Sequence, residues 1–395
     1  MNPAPCANGR RGAAGLSLIE LMIALLLGIL LMLGMVQIFA ASKASYRLSE
    51  GVSRTQENGR FALDFLQRDI RMVGHFGCKS DQTLFLEQAM GSDGAFENAL
   101  DVSDVDSDPA DYAANFALSI QGYEASGTEP GKSLVLATVP ATGGTAYGPA
   151  LPAAIAKALA NRVDGSDILV LRYLAPEGAF VAAAAADGTY TLDTDAASWE
   201  KLRGGIASPG LFGISNCHSA TIFQASDAAA AAVKANAAPA NLYAAGALLY
   251  RAESRIYYVG LNASGVPALY RLRYVATPGT EDGSYTKEEL VEGVASMQLL
   301  YGQDRASAAA SAPSGAIDSQ YTAATLGRDA DAWRRVGSVQ IGLVLVSPNP
   351  ASAVAPQVAD AALVAQGVSF ASPADGRYRN VYQSTVALRN RLFGN

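Results

Sequence analysis

The chain of 395 residues is 50% hydrophobic and 16% charged, with 29 basic against 36 acidic side chains and a formal net charge of −7. That apolar content and small charge exclude a disordered polymer, and an acidic balance without a basic patch excludes the cationic footprint of non-specific nucleic-acid binding. Histidine occurs only at His75 and His218, which confines any Ser-His-Asp triad, His-rich zinc site or His-based acid–base pair to those positions.

The amino terminus carries the strongest pattern. Arg10 and Arg11 precede an apolar run from Leu16 to Ser42 that holds one charge, Glu20. The 21 residues Leu21 to Ala41 contain Gln37 as their one strongly polar side chain, and about 20 apolar residues suffice to cross a bilayer as a helix. The positive-inside bias puts the amino end in the cytoplasm and the rest outside, in the periplasm of a Gram-negative cell. A secretory signal cut near Ala40, Ala41 or Ala44, a plain anchor and a more specialised segment are all compatible with this. The run, however, exceeds the usual 7–15-residue signal core and contains an acid. A carboxylate driven to mid-bilayer costs about 2.5–3.5 kcal/mol, so Glu20 calls for a partner.

The octapeptide Gly15-Leu16-Ser17-Leu18-Ile19-Glu20-Leu21-Met22 resembles the class III leader junction of type IV prepilins and type II secretion pseudopilins. The resemblance implies that residues 1–15 form a leader, cut after Gly15 by a prepilin peptidase. Leu16 then becomes the N-methylated terminus and Glu20 the fifth mature residue. Leu16 replaces the usual phenylalanine and Ser17 the common threonine, departures that bear on methylation more than on cleavage. Within lipid, the Glu20 carboxylate would pair with the terminal amine of an adjacent subunit, each charge relieving the other's desolvation. The plainer alternative is an interfacial glutamate that snorkels to the headgroups.

The helix is expected to continue, with 16–42 as its transmembrane half and 43–73 as an amphipathic half. No proline lies between Pro5 and Pro109. Leu48, Val52, Phe61, Ala62, Phe65, Leu66, Ile70 and Val73 recur largely at three- and four-residue spacing among charged residues. Leu16 to Val73 would extend roughly 87 Å at 1.5 Å per residue. Gly28, Gly34, Gly51 and Gly59 predict curvature or local melting, and Gly74 and Gly77 end the helix.

From 74 to 395 the chain reads as a β-rich head of one or two lobes. Strands are predicted at Ser133–Val139, Asp167–Leu174, Ala220–Gln224, Ala247–Arg251, Arg255–Gly260, Ala268–Val275, Glu289–Tyr301, Gly337–Ser347 and Tyr378–Leu388. Asn262-Ala263-Ser264-Gly265 predicts a hairpin loop, and the near-continuous apolar run at Gly337–Ser347 a central strand covered on both faces. The segments Ala182–Ala186, Ala228–Ala238, Ala306–Ala310 and Ser347–Pro356 read as loops, short surface helices or insertions. No internal repeat is visible.

Glu289-Leu290-Val291-Glu292-Gly293-Val294 with Leu299-Leu300-Tyr301-Gly302-Gln303-Asp304, the stretch Tyr378 to Asn390, and Gly74-His75-Phe76-Gly77-Cys78 resemble the PilW family of minor pilins. This implies an α+β, pilin-like fold and a non-enzymatic minor pilin, anchored once in the inner membrane. It would help initiate or cap a type IV pilus for twitching motility and attachment, at low copy near the filament tip. Its partners would be other minor pilins, the major pilin, inner-membrane pilus assembly proteins and a tip adhesin. A J-type minor pseudopilin of type II secretion shares the architecture; a membrane-anchored periplasmic hydrolase or binding protein is the remaining alternative.

With Cys6 removed in the leader, Cys78 and Cys217 remain in an oxidising compartment. They form a disulfide, stay as two buried thiols, or join His75 and His218 at a metal, although adjacent Cys217 and His218 would project oppositely from a strand. Asp104, Asp106 and Asp108, with Asp111, begin like a calcium loop, but Pro109 and Asn115 occupy the glycine and glutamate positions, so the segment reads as a solvated acidic loop. Gly213 to Cys217 lacks the last glycine of a nucleophile elbow, and no phosphate loop is present. Tyr257, Tyr258, Tyr270 and Tyr274 read as strand-face packing. No catalytic, cofactor or metal site is expected.

Overall fold

The computed structural model describes residues 15, 17–80, 96–241, 243–280, 282–304, 316–350 and 363–391. Cys6, Arg10, Arg11, Leu16 and the Ala306–Ala310 stretch lie outside the described residues.

One helix, α1, runs unbroken over Leu18–Ile70. Melting at Gly28, Gly34, Gly51 and Gly59 is not found. The chain leaves α1 in a turn in which the His75 amide donates to Met72 O at 3.0 Å, and Gly74 and Gly77 take φ of 80° and 88°, values that side chains disfavour.

The head contains β1 (His75–Phe76), β2 (Lys79–Ser80), β3 (Phe96–Asn98), β4 (Ile120–Ala125), β5 (Ser133–Val135), β6 (Tyr147–Gly148) and β7 (Ile168–Ala184). Next come β8 (Thr189–Asp193), β9 (Leu211–Ser215), β10 (Ala220–Ala228), β11 (Ala232–Ala235), β12 (Leu248–Leu261), β13 (Pro267–Ala276) and β14 (Gly283–Glu292). The last are β15 (Val294–Gln303), β16 (Ser319–Tyr321), β17 (Val336–Pro350), β18 (Leu363–Ala365), β19 (Val368–Ala371) and β20 (Arg377–Ala387). The expected class, a long apolar helix followed by a β-rich head, is therefore what the chain adopts.

Strands β4, β7, β12, β13 and β14 make one antiparallel face. β7 and β12 are long enough, at 17 and 14 residues, to serve a second structure. Beyond that face the path β12–β9–β10–β11–β8–β7 returns to β12 and closes a ring, filled by Tyr190, Phe212, Ile214, Phe223, Val233 and Leu249. A second sheet has the order β16–β15–β17–β20 and a third β18–β19–β5. β17 is central as expected. Val339, Ile341, Leu343 and Leu345 join the core under α1, whereas Val344 and Val346 pack with Val368 and Phe370 of the third sheet.

The head-facing stripe of α1 is Gly51, Thr55, Gly59, Ala62 and Leu66, advancing three or four residues at a time, and ends in Asp69 and Ile70, three and four residues beyond Leu66. Ala62, Leu66, Ile70 and Val73 are buried as expected, but Leu48 and Phe61 remain 45% and 52% exposed. The stripe instead begins with small residues because the strands approach the helix backbone closely: a Cβ at Gly59 would lie 2.8 Å from the Tyr382 ring. Leu66 and Ile70 are fully buried, each worth about 1.5–3 kcal/mol. They enter a core shared by Leu169, Leu171 and Val259 of the first sheet and Met297 and Leu299 of the second.

Several strand limits differ from expectation. Ala247–Arg251 and Arg255–Gly260 are one strand, β12, and its hairpin with β13 has the expected loop, closed by the Asn262 amide donating to Val266 O at 3.0 Å. Glu289–Tyr301 is two strands, because Gly293 at φ 85° turns the chain from the first sheet into the second. The expected Ser133–Val139 strand stops at Val135. Alanine-rich segments also pair: β7 extends to Ala184 and β11 covers Ala232–Ala235, since pairing with strand neighbours overrides alanine's weak strand preference. β17 likewise reaches Pro350, within the stretch expected as loop.

Candidate functional site

The apolar half of α1 is presented outward. From Leu18 to Phe39 its large side chains are at least 51% exposed. α1 is long and apolar enough to cross a membrane, and none of its most apolar stretch is buried in the protein. At its start Ser17 is the N-cap, with φ −66° and ψ 142°. Glu20 stands at the third helical position, where its Oε2 accepts the Ser17 amide at 3.4 Å. An acid there complements the helix dipole, and Glu20 has no ion-pair partner among the described residues. Among the described residues, no atom lies within 4 Å of where a Cβ at Gly15 would stand.

At the other end α1 is fastened to the head by buried charge. Asp69 Oδ2 accepts from Arg255 Nη1 at 2.5 Å and from the Tyr257 hydroxyl, with Arg271 Nη1 at 3.8 Å. Arg255 also donates from Nε to Glu253 Oε2 at 3.0 Å and lies over the Tyr173 ring. Glu253 receives Arg251 at 2.5 Å and Arg273 at 2.6 Å as well. Burial opposes the charged form of the Glu253 carboxyl, but Arg255, Arg251 and Arg273 outweigh it and hold the group well below the ordinary carboxylate range. Arg251 and Arg273 also donate to Leu202 O and Gly204 O, at the end of the short helix Ala196–Arg203.

Sequence reasoning missed this network, because charges inside an apolar segment read as a break between strands. The available signal was their spacing. Arg251, Glu253 and Arg255 occupy alternate positions, and antiparallel register sets Arg273 opposite Arg255 and Arg271 opposite Tyr257.

Cys78 and Cys217 form a disulfide with Cα atoms 5.1 Å apart. It ties the segment just after α1 to the connection between β9 and β10. Both sulfurs are thereby used, and His75 instead places Nδ1 2.9 Å from Leu174 O and packs edge-on against Tyr250; the four residues do not form a metal set. Among the described residues no group of three or more His, Cys, Asp or Glu is placed to hold a metal.

The acidic loop turns its carboxylates onto its own backbone. Asp108 caps the helix Pro109–Ala114, accepting from Ala110 N at 2.6 Å, and Asp111 accepts from Asp104 N at 2.7 Å. Asp106 pairs with Arg328 at 2.9 Å. Tyr258 and Tyr270 stack at 5.5 Å, and their hydroxyls donate to Asn161 and Glu289; Tyr274 meets Tyr285 edge-on. Tyr257, Tyr258, Tyr270 and Tyr274 are all buried, and Tyr257 also serves the Asp69 network.

Residues 256–390 match the family model for PilW, the type IV pilus-assembly protein W. The matched segment begins within β12 and takes in β14, the second sheet and the third-sheet strands β18 and β19. No curated protein and no solved structure matches the chain.

Proposed function

We propose that this chain is a minor pilin, a structural subunit that helps start or cap a type IV pilus and has no catalytic role. The observation that carries the reading is continuity. A single helix that begins at Leu18, just after the Gly15–Ser17 part of the junction in sequence, carries Glu20 and a membrane-length apolar surface at one end, and at the other it is locked into a head in which residues 256–390 are similar to a pilus-assembly family.

On this reading a prepilin peptidase cuts after Gly15, and the new amine of Leu16 is methylated. The chain sits once in the inner membrane, with its amino end cytoplasmic and its head periplasmic. Glu20, exposed and without a cation partner among the described residues, accepts the terminal amine of the next subunit, which neutralises two charges that lipid would otherwise penalise. Other minor pilins, the major pilin and inner-membrane assembly proteins are the partners, and a head of this size favours low copy near the tip.

The test is a deletion strain complemented with wild type or Glu20→Ala, together with mass spectrometry of the mature terminus. A methylated Leu16, with twitching lost in the deletion and not restored by Glu20→Ala, is expected. A terminus at Met1 or in the forties overturns the reading. A deletion that loses exoprotein release instead of twitching reassigns the subunit to type II secretion.

A further inference from the structure

β14 is an outer strand: it pairs with β13 on one side, and among the described residues no backbone hydrogen bond joins Ser284 to Val291 to anything else. Ten residues is long for an edge, which proteins usually shorten, bulge or cover; here the register with β13 shifts at Leu290 and Asn58 Nδ2 donates to Glu292 O at 2.9 Å, so the open stretch is Ser284 to Glu289. The charges on this strand do not guard it. Glu288 is drawn onto Arg271 at 2.6 Å, Glu289 onto the Tyr270 hydroxyl and Lys287 onto Asn161, all toward the faces of their own sheet.

Directly beside that edge a groove of about 710 Å³ opens between α1 and the strand, lined by Phe61 and Phe65 from the helix and by Leu290, Val291 and Glu292 from β14. Gly293 and Pro348 of β17 complete it, so it lies at the carboxyl end of β14, where the chain turns from the first sheet into the second. Phe61 is 52% exposed, and Phe65 and Leu290 are half-buried. At the rim Arg54 is spent on Glu50 at 2.9 Å, while the Glu57 and Glu292 carboxylates have no partner among the described residues.

We propose that β14 and this groove form one docking site for an extended β-segment of a neighbouring subunit's head. A helix could fill the groove but would leave the β14 amides and carbonyls unpaired. A strand satisfies them and, with its two-residue period, sends every second side chain into the groove. The segment that fits is apolar at those alternate positions and carries a lysine or arginine to meet Glu57 and Glu292. The donor's identity as a subunit rests on the assembly reading above; strand capture by this chain does not.

The experiment uses the full chain in lipid nanodiscs and hydrogen exchange followed by mass spectrometry. The probe is an eight-residue peptide of alternating valine and threonine with a lysine at each end. In the free chain, β14 should exchange far faster than β12, and the peptide should slow β14 selectively. A version with two central prolines should do nothing, and Leu290→Lys or Phe61→Lys should weaken the effect about tenfold while β12 protection is unchanged. The proposal is overturned if β14 is already as protected as β12, if the proline peptide works equally well, if an amphipathic helical peptide displaces the strand, or if Leu290→Lys has no effect. None of these results touches the Glu20→Ala test, so the two readings fail separately.

Discussion

Glu253→Gln should be among the most damaging isosteric changes in the head. The side chain is 1% exposed and holds three guanidiniums, Arg251, Arg255 and Arg273, whose side chains are 6%, 13% and 11% exposed. Glutamine keeps the volume but leaves three buried cations without their shared anion, and removing one partner of a buried ion pair costs about 3–5 kcal/mol. The loss should be read as a lower denaturation midpoint for the full chain in detergent, at unchanged denaturant sensitivity.

The pH dependence gives a second, independent signature. The folded carboxyl is held below its unfolded value, so its contribution is fully present above the unfolded pKa of about 4.3 and is lost as pH falls through the folded pKa. The gap between wild type and Glu253→Gln should therefore be constant from neutral pH to about 5 and narrow below about 4. A loss under about 1 kcal/mol, or a gap that grows on acidification, would refute the claim that the three arginines depend on this anion.

Asp69→Ala removes the helix side of the same network, leaving Arg255 and the Tyr257 hydroxyl without their acceptor on α1; amide exchange at Leu66 and Ile70 should accelerate more than exchange in β17. Cys217→Ser opens a link between residues 139 apart, for which loop entropy gives about 5 kcal/mol. Cys78→Ser and the double variant should show the same lowered midpoint as the single change, and a larger effect in the double would contradict the pairing. Gly59→Leu drives a side chain into the Tyr382 ring, 2.8 Å from the first added carbon, and should cost about 1–3 kcal/mol. Gly34→Ala meets nothing within 4 Å and should leave the unfolding midpoint of the head where it was.

The sequence by itself determined what depends on local pattern and on solvent. The membrane-length helix, its amphipathic continuation, the glycines that end it and the β-rich character of the head all follow from which residues can be exposed to water or lipid along one element. The hairpin at Asn262 and the covered central strand at Val339 to Leu345 were legible for the same reason, and Cys78 with Cys217 could be singled out by compartment and number. Tertiary structure alone decided what requires partners far apart in the chain. The ring closes because β7 and β12 each serve two neighbours, a property visible only once both are paired. The helix turns Gly51 and Gly59, not Leu48 and Phe61, toward the head, and at Gly59 the Tyr382 ring lies against the backbone. Buried arginines became tolerable in β12 and β13 because Glu253 and Asp69, the second of them some 190 residues away on α1, offset part of their charge, a compensation that no local period can announce.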